Sequence, residues 1–219
     1  FNFGTIFNKK INNSLELTFA ASYSPEASIA SKNQSEFSTI VIDSDETEFI
    51  VDSSIVDLES DNLAETSLVL PSKTNFGIGI GKPRKWFLGV DYTLLEASKF
   101  SNRFVDIDNI IFEDAMSLSI GGFFIPKYDS FGNYWKRIVY RMGMRLEQTG
   151  LVINNESIEE FGISFGVGVP VGRFFSNANL AFEWGQRGTT ASNLVKETFF
   201  NINISLSLND RWFEKRKFN

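Results

Sequence analysis

Cysteine and histidine are both absent from this chain of 219 residues. Without cysteine there is no disulfide framework, thiol nucleophile or thiolate metal site; without histidine there is no Ser-His-Asp triad and no imidazole-ligated metal. Any catalytic chemistry would rest on carboxylates, Lys, Tyr or Ser. The adjacent pair Glu159 and Glu160 does not supply it, because neighbours on a strand point to opposite faces. No enzymatic role and no cofactor are expected. Long apolar runs are missing too: none approaches the roughly 18 residues of a membrane-spanning helix, and no signal peptide opens the chain. Freedom from cysteine suits a barrel that crosses an oxidising periplasm unfolded. Basic charge is in the minority, with 21 Lys and Arg against 27 Asp and Glu, so nucleic acid is not an expected partner.

What the chain has in abundance is alternation. Leu15, Leu17, Phe19, Ala21 and Tyr23 face one way while Glu16, Thr18, Ala20 and Ser22 face the other, the period of a two-faced strand. The pattern recurs at Phe76/Ile78/Ile80, Trp86/Leu88/Val90/Tyr92/Leu94, Met116/Leu118/Ile120 and Ile138/Tyr140/Met142/Met144/Leu146. It continues at Phe161/Ile163/Phe165/Val167/Val169, Ala178/Leu180/Phe182/Trp184 and Phe200/Ile202/Ile204/Leu206/Leu208. With the opening segment around Phe1, Phe3 and Phe7, these predict nine strands. A soluble barrel or sandwich alternates as well, so other features must decide which face meets water.

Three features point to a membrane. The polar faces hold Gly77, Gly79 and Gly81, then Gly162, Ser164, Gly166 and Gly168, then Asn201, Asn203, Ser205 and Ser207; small residues suit a crowded polar lumen better than a solvated surface. Most segments run about 9 to 13 residues, the length a tilted strand needs to cross a bilayer, where soluble strands average about 5 to 6. Connections alternate short (8–13, 82–85, 126–136, 170–177) and long (25–71, 96–113, 148–157, 186–197), as in outer-membrane barrels. The long connections carry 17 of the 27 acids and five bases, whereas the short turns and C-terminal tail hold more than half of the 21 bases and three acids. The predicted class is therefore all-β: a transmembrane, antiparallel, up-and-down outer-membrane β-barrel with short turns and C-terminus periplasmic and long loops extracellular. An odd number of strands would leave the termini on opposite sides, so further strands are expected before Phe1.

Period-two counting places Glu16, Asp91, Arg141, Arg145, Glu147, Glu183 and Arg187 on the inward stripes, where they are expected to form a lumenal polar network, since a charge facing lipid costs about 2–4 kcal/mol near the midplane. Arg141 and Arg145 lie roughly 13 Å apart at strand rise, so each needs its own partner. Phe87, Phe123 and Val139 are inward by the same count and are candidate lumenal apolar contacts. Residues 25–71 hold 11 acids and one base, Lys32. Its cluster Asp43, Asp45, Glu46 and Glu48 is a weak calcium candidate, lacking the EF-hand spacing and central glycine; a solvated acidic loop is the plainer reading. Ser38–Ile42 and Phe49–Val56 are β-branched enough for a hairpin above the membrane. Trp86, Trp184, Trp212, Tyr92 and Tyr134 suit an interfacial girdle. Arg211–Lys217 suits a headgroup-level anchor, and the glycine-rich FGIGIGK lacks phosphate-loop spacing.

Five stretches on these strands, LPSKTNFGIGIGKPRKWFLGVD, YRMGMRLEQTGL, FGISFGVGVPVG, FEWGQRGTT and FFNINISLSLNDRWFEKRKFN, resemble the FadL-like outer-membrane transporters of fatty acids and hydrophobic compounds, in the form common among Bacteroidota. The resemblance implies a 14-stranded barrel plugged by an N-terminal hatch, with this chain as one barrel region that lacks the hatch and the first strands. It also implies passage of long-chain fatty acids, with lipid, lipopolysaccharide and a fatty-acid or detergent ligand as partners. The alternative is a non-transporting barrel subunit of an outer-membrane assembly or secretion complex, whose partners are other outer-membrane or periplasmic subunits. A soluble β-sandwich binding module is the third reading.

Overall fold

The computed structural model describes residues 1–100, 109–171 and 176–207. Its strands, in chain order, are β1 (Phe3–Lys10), β2 (Glu16–Ser24), β3 (Ala27–Lys32), β4 (Glu36–Ile42), β5 (Glu48–Ile55), β6 (Glu65–Leu70) and β7 (Lys73–Lys82). They continue with β8 (Trp86–Leu95), β9 (Ile110–Phe112), β10 (Ala115–Phe124), β11 (Val139–Ile153), β12 (Glu156–Val171), β13 (Ser176–Arg187) and β14 (Glu197–Ser207). Nine of them form one antiparallel meander in the order β1-β2-β7-β8-β10-β11-β12-β13-β14, with β9 added beside β11. Each of the nine segments marked by alternation is a strand of this meander. Leu208, Trp212 and the basic tail lie outside the described residues, as does part of the turn at 170–177.

Strand register explains how alternation becomes architecture. Cross-strand partners share a face, and the register sets Ile78 beside Val90, Val90 beside Ile120, Ile120 beside Met144, Met144 beside Ile163, and Ile163 beside Trp184. One face is thus apolar across the whole meander, and the other carries glycine, serine, asparagine and the charges. Among the described residues no second layer covers the apolar face. Phe76, Leu88 and Phe165 are each 53% exposed and Ile204 is 75% exposed. The buried apolar side chains sit at the strand ends and in the connections instead: Leu58, Ala97, Ala115, Ile125, Ile138, Val152 and Ile158.

The sheet is open. Its outer strands β1 and β14 each pair with one neighbour, and among the described residues no ladder joins them. Barrel closure, expected from the sequence, is therefore not a feature of these residues, while the all-β antiparallel class is. No helix among the described residues is long and apolar enough to cross a membrane.

Two connections differ from expectation. Residues 148–157, expected to be a long loop, are mostly strand: β11 and β12 run on past the sheet to a two-residue turn at Asn154 and Asn155, both with positive φ (52° and 65°). Asparagine tolerates that conformation, which a tight hairpin requires. A register shift between Gln148 and Val152, with Gly150 at φ 76°, re-aims this extension, and β9 pairs with its outer part. Three apolar residues in succession, Leu151, Val152 and Ile153, with Val152 buried, break the alternation from which strands are read.

Residues 25–71 contain the hairpin expected at Ser38–Ile42 and Phe49–Val56, and differ from expectation in adding a second ladder. β3 pairs with β6, and β4 with β5, each as a separate two-stranded ladder. The ladder of β2 and β7 stops at Ser24–Lys73 and resumes at Ala27–Leu70. Pro25 and Pro71 stand in that gap on facing strands, and proline has no N–H to donate to a ladder.

Candidate functional site

The densest chemistry lies on the polar face, near the end from which the long connections leave. Glu160 on β12 is 4% exposed, and its two carboxylate oxygens are shared between Arg145 of β11 and Arg187 of β13. Arg145 reaches further, to Glu147 at 3.6 Å and to Glu183 of β13 at 3.3 Å. The Asn201 amide of β14 donates to the second oxygen of Glu183 at 3.1 Å. Three carboxylates and two guanidiniums thus tie four consecutive strands across their polar side. Period-two stacking makes this contact natural, since Glu160 stands opposite both Glu147 and Arg187 in the ladder.

The structure brings Arg145, Glu147, Glu183 and Arg187 together, and Glu160 and Asn201 complete the group. Glu160 was not among the residues counted inward, although it shares the parity of Gly162 and Ser164 on the same strand. The other three predicted members stand apart. Arg141 donates to Asn179 at 3.0 Å, and Asn179 in turn donates to Ser205 at 3.3 Å, which gives Arg141 and Arg145 separate partners. Asp91 accepts only a long bond from Thr93, 3.5 Å. Glu16 lines a small hollow, and among the described residues neither it nor Asp91 forms an ion pair.

Glycine makes room on this face. A Cβ on Gly79 would lie 2.2 Å from the Phe87 ring, and one on Gly185 would lie 2.3 Å from the Phe199 ring. The guanidinium of Arg141 and the amide of Asn179 occupy the corresponding space above Gly168, at 2.7 and 2.8 Å. Large side chains lie flat over neighbouring glycines, so that each glycine is where a ring or guanidinium closes on the backbone. Phe87 stacks on Phe123 with ring centroids 6.1 Å apart; Val139 opens β11 opposite Gly168. The hollow that Phe87 and Phe123 share with Glu16 and Thr18 measures about 110 Å³, below the roughly 300 Å³ at which ligand pockets begin. A larger recess of about 730 Å³ is lined by Leu88, Ile120, Met142 and Phe165 of the apolar face and also by Phe87, Phe123 and Arg141.

The acidic cluster gathers no cation cage: among the described residues no group of three or more acidic side chains is arranged for a metal. Asp43, Asp45 and Glu46 form the β4–β5 turn, and the Asp43 carboxylate accepts the Ser44 N–H at 2.7 Å. Among the described residues, the ion pair Glu96–Lys99, 2.6 Å, shifts titration outside the strands. The Lys99 ammonium, helped by the Ser72 hydroxyl, holds the Glu96 carboxyl below its ordinary pKa, and Glu96 raises Lys99.

Chemically, the described residues of the polar face offer cross-bracing between β11, β12, β13 and β14. The family described as BamG matches residues 1–219, the whole chain, and its name points to the outer-membrane assembly machinery. The FadL-like resemblance is overturned by that match. Two of the stretches that carried it, around Gly77–Gly81 and Gly162–Gly168, are glycine-alternating strands in which Gly79 lies under the Phe87 ring and Gly168 under the Arg141 guanidinium. No curated protein matches the chain.

Proposed function

Since this chain belongs to the BamG family, we propose that it forms part of a β-barrel wall embedded in the outer membrane and serves there as a component of the protein-assembly machinery. The observation that carries the reading is the uncovered apolar face. Soluble monomers rarely expose contiguous apolar patches beyond a few hundred Å², and here nine neighbouring strands present one, bearing Phe76, Leu88, Phe165, Phe200 and Ile204 at 48% exposure or more. Lipid is the solvent that removes the cost of that exposure.

A bracing role for this part of the polar face is supported by the engagement of Arg145 and Arg187 with three carboxylates on β11 to β13, to which the Asn201 amide of β14 is added. Short turns rich in Lys and Arg at one end and acidic connections at the other fit periplasmic and extracellular sides respectively.

Purification of the full-length protein from outer membranes in gentle detergent, followed by mass spectrometry of proteins and extracted lipids, tests the reading. Stoichiometric outer-membrane assembly proteins with no enriched fatty acid are expected. A lone protein carrying an acyl ligand would overturn it.

A further inference from the structure

The arm between β2 and β7 ends in a hairpin that is chemically out of place. β4 and β5 pair with each other and with no other strand. All residues of both strands are exposed, including Phe37 at 73%, Ile42 at 61%, Ile50 at 68% and Ile55 at 67%. An isolated two-stranded hairpin is marginal in water, and edges this apolar ordinarily carry Lys or Pro to prevent pairing with other chains. Residues 36–55 contain no Lys, Arg, Pro or Gly.

The base of the arm is rigidly made, so the exposure is displayed rather than incidental. Asn33 donates to Leu63 O and Thr66 Oγ1, both at 2.8 Å, and its own N–H bonds Ala64 O at 2.9 Å. Leu58 is buried in this joint, and the Val56 N–H bonds Ser35 O at 2.9 Å, closing the neck from which the hairpin leaves. The two edges differ. β5 is interrupted where Thr39 pairs with Asp52 and Ile40 with Ile50, leaving Val51 as the extra residue of a bulge; β4 is regular. Bulges protect an edge, so the open edge is Glu36–Ile42.

Charge decides what can add to it. Residues 36–55 carry Glu36, Asp43, Asp45, Glu46, Glu48 and Asp52 and no base, so a second copy of the hairpin would meet six negative charges with six of its own. We propose that β4 is a docking edge for another protein, which adds an extended segment alternating apolar and Lys or Arg residues as a third strand. Main-chain hydrogen bonds hold such a strand, while Phe37, Thr39 and Val41 on one face and Ser38, Ile40 and Ile42 on the other select its side chains. The acids of the turn, with Glu36 and Glu48, draw in and orient its positive charges. The partner lies on the side of the long connections, and the proposal holds for any partner of this chemistry.

The test uses the full-length protein in its own membrane, with a photo-crosslinking amino acid at Phe37 or Val41 and the adducts mapped by mass spectrometry. One partner protein is expected, joined through a basic, apolar segment, with yield falling several-fold in Asp45→Lys/Glu46→Lys/Glu48→Lys and in high salt. A variant in which an Asn-Gly turn joins Ser35 to Val56 should lose that partner and keep heat-modifiable gel migration. Adducts with lipid or with copies of this chain, no adduct at all, or a yield indifferent to charge reversal would overturn the proposal. Should assembly proteins still co-purify in those cases, the assembly role stands and only the docking edge falls.

Discussion

Replacement of Glu160 by alanine should be the most damaging single change on the polar face. Its carboxylate is 4% exposed and accepts from two guanidiniums. Hydrogen bonds to charged groups contribute about 1.5–3 kcal/mol each, which would give about 3–6 kcal/mol for the two. The arginines moderate that figure, because the Arg145 and Arg187 side chains are 39% and 56% exposed and recover water. Arg145 also retains Glu147 and Glu183. A cost of about 3 kcal/mol follows, at the lower end for breaking a buried pair. With a urea dependence of about 2 kcal/mol/M, the unfolding midpoint in lipid vesicles should fall by about 1.5 M. Tryptophan emission and heat-modifiable migration both report it. Glu160→Gln should fall between the native protein and Glu160→Ala, and Arg187→Ala should cost less than Glu160→Ala, since Glu160 keeps Arg145. A midpoint unchanged in Glu160→Ala, or a larger loss from Arg187→Ala, would refute the reasoning.

Gly79→Ala should destabilise by about 1–3 kcal/mol through overpacking, because its Cβ would lie 2.2 Å from the Phe87 ring; the double variant with Phe87→Ala should cost less than the sum in the same urea assay. Phe165→Arg, on the apolar face, should lower the folded, heat-modifiable fraction by about 2–4 kcal/mol, whereas Asn203→Arg on the polar face, opposite Ala181, should be tolerated. The short 3-10 turn Ala97–Lys99 should lose hydrogen-exchange protection at the Lys99 and Phe100 amides at both pH extremes. Glu96 is held below its ordinary 4.5, so its contribution is present above that value and lost as pH falls through the depressed folded value. Lys99 is raised above 10.5, so its contribution is full below that value and lost as pH rises through the folded one. Protection that is flat across both limits would contradict the pairing.

The meander was legible because its two faces differ, and each of the nine alternating segments is a strand of it. Legibility failed where alternation stops. The outer halves of β11 and β12 are strand although Leu151, Val152 and Ile153 run apolar in succession, set by the Asn154–Asn155 turn and the register shift at Gln148, neither of which alternation reveals. In the candidate site, strand parity gave the shared face of Arg145, Glu147, Glu183 and Arg187, but contact depends on register as well as parity. Ser119 and Gly162 stand beside Arg145 in the ladder, and the guanidinium reaches past them to Glu160 and Glu183. Arg141, of the same parity, lies four residues along β11 and meets Asn179 instead. Family assignment failed as well, since the BamG family matches the whole chain where the quoted stretches resembled another family.

Because the chain has no cysteine, single cysteines along β14 give the most direct test of a membrane-embedded, two-faced wall. Placed in turn at Phe200, Asn201, Ile202, Asn203, Ile204 and Ser205, they are labelled in intact outer membranes with a water-soluble maleimide and, separately, with a fluorophore quenched by nitroxide lipid. The account predicts strict alternation, with quenching by lipid at Phe200, Ile202 and Ile204 and none at Asn201, Asn203 and Ser205. Equal maleimide labelling of both sets, with no lipid quenching at either, would contradict it.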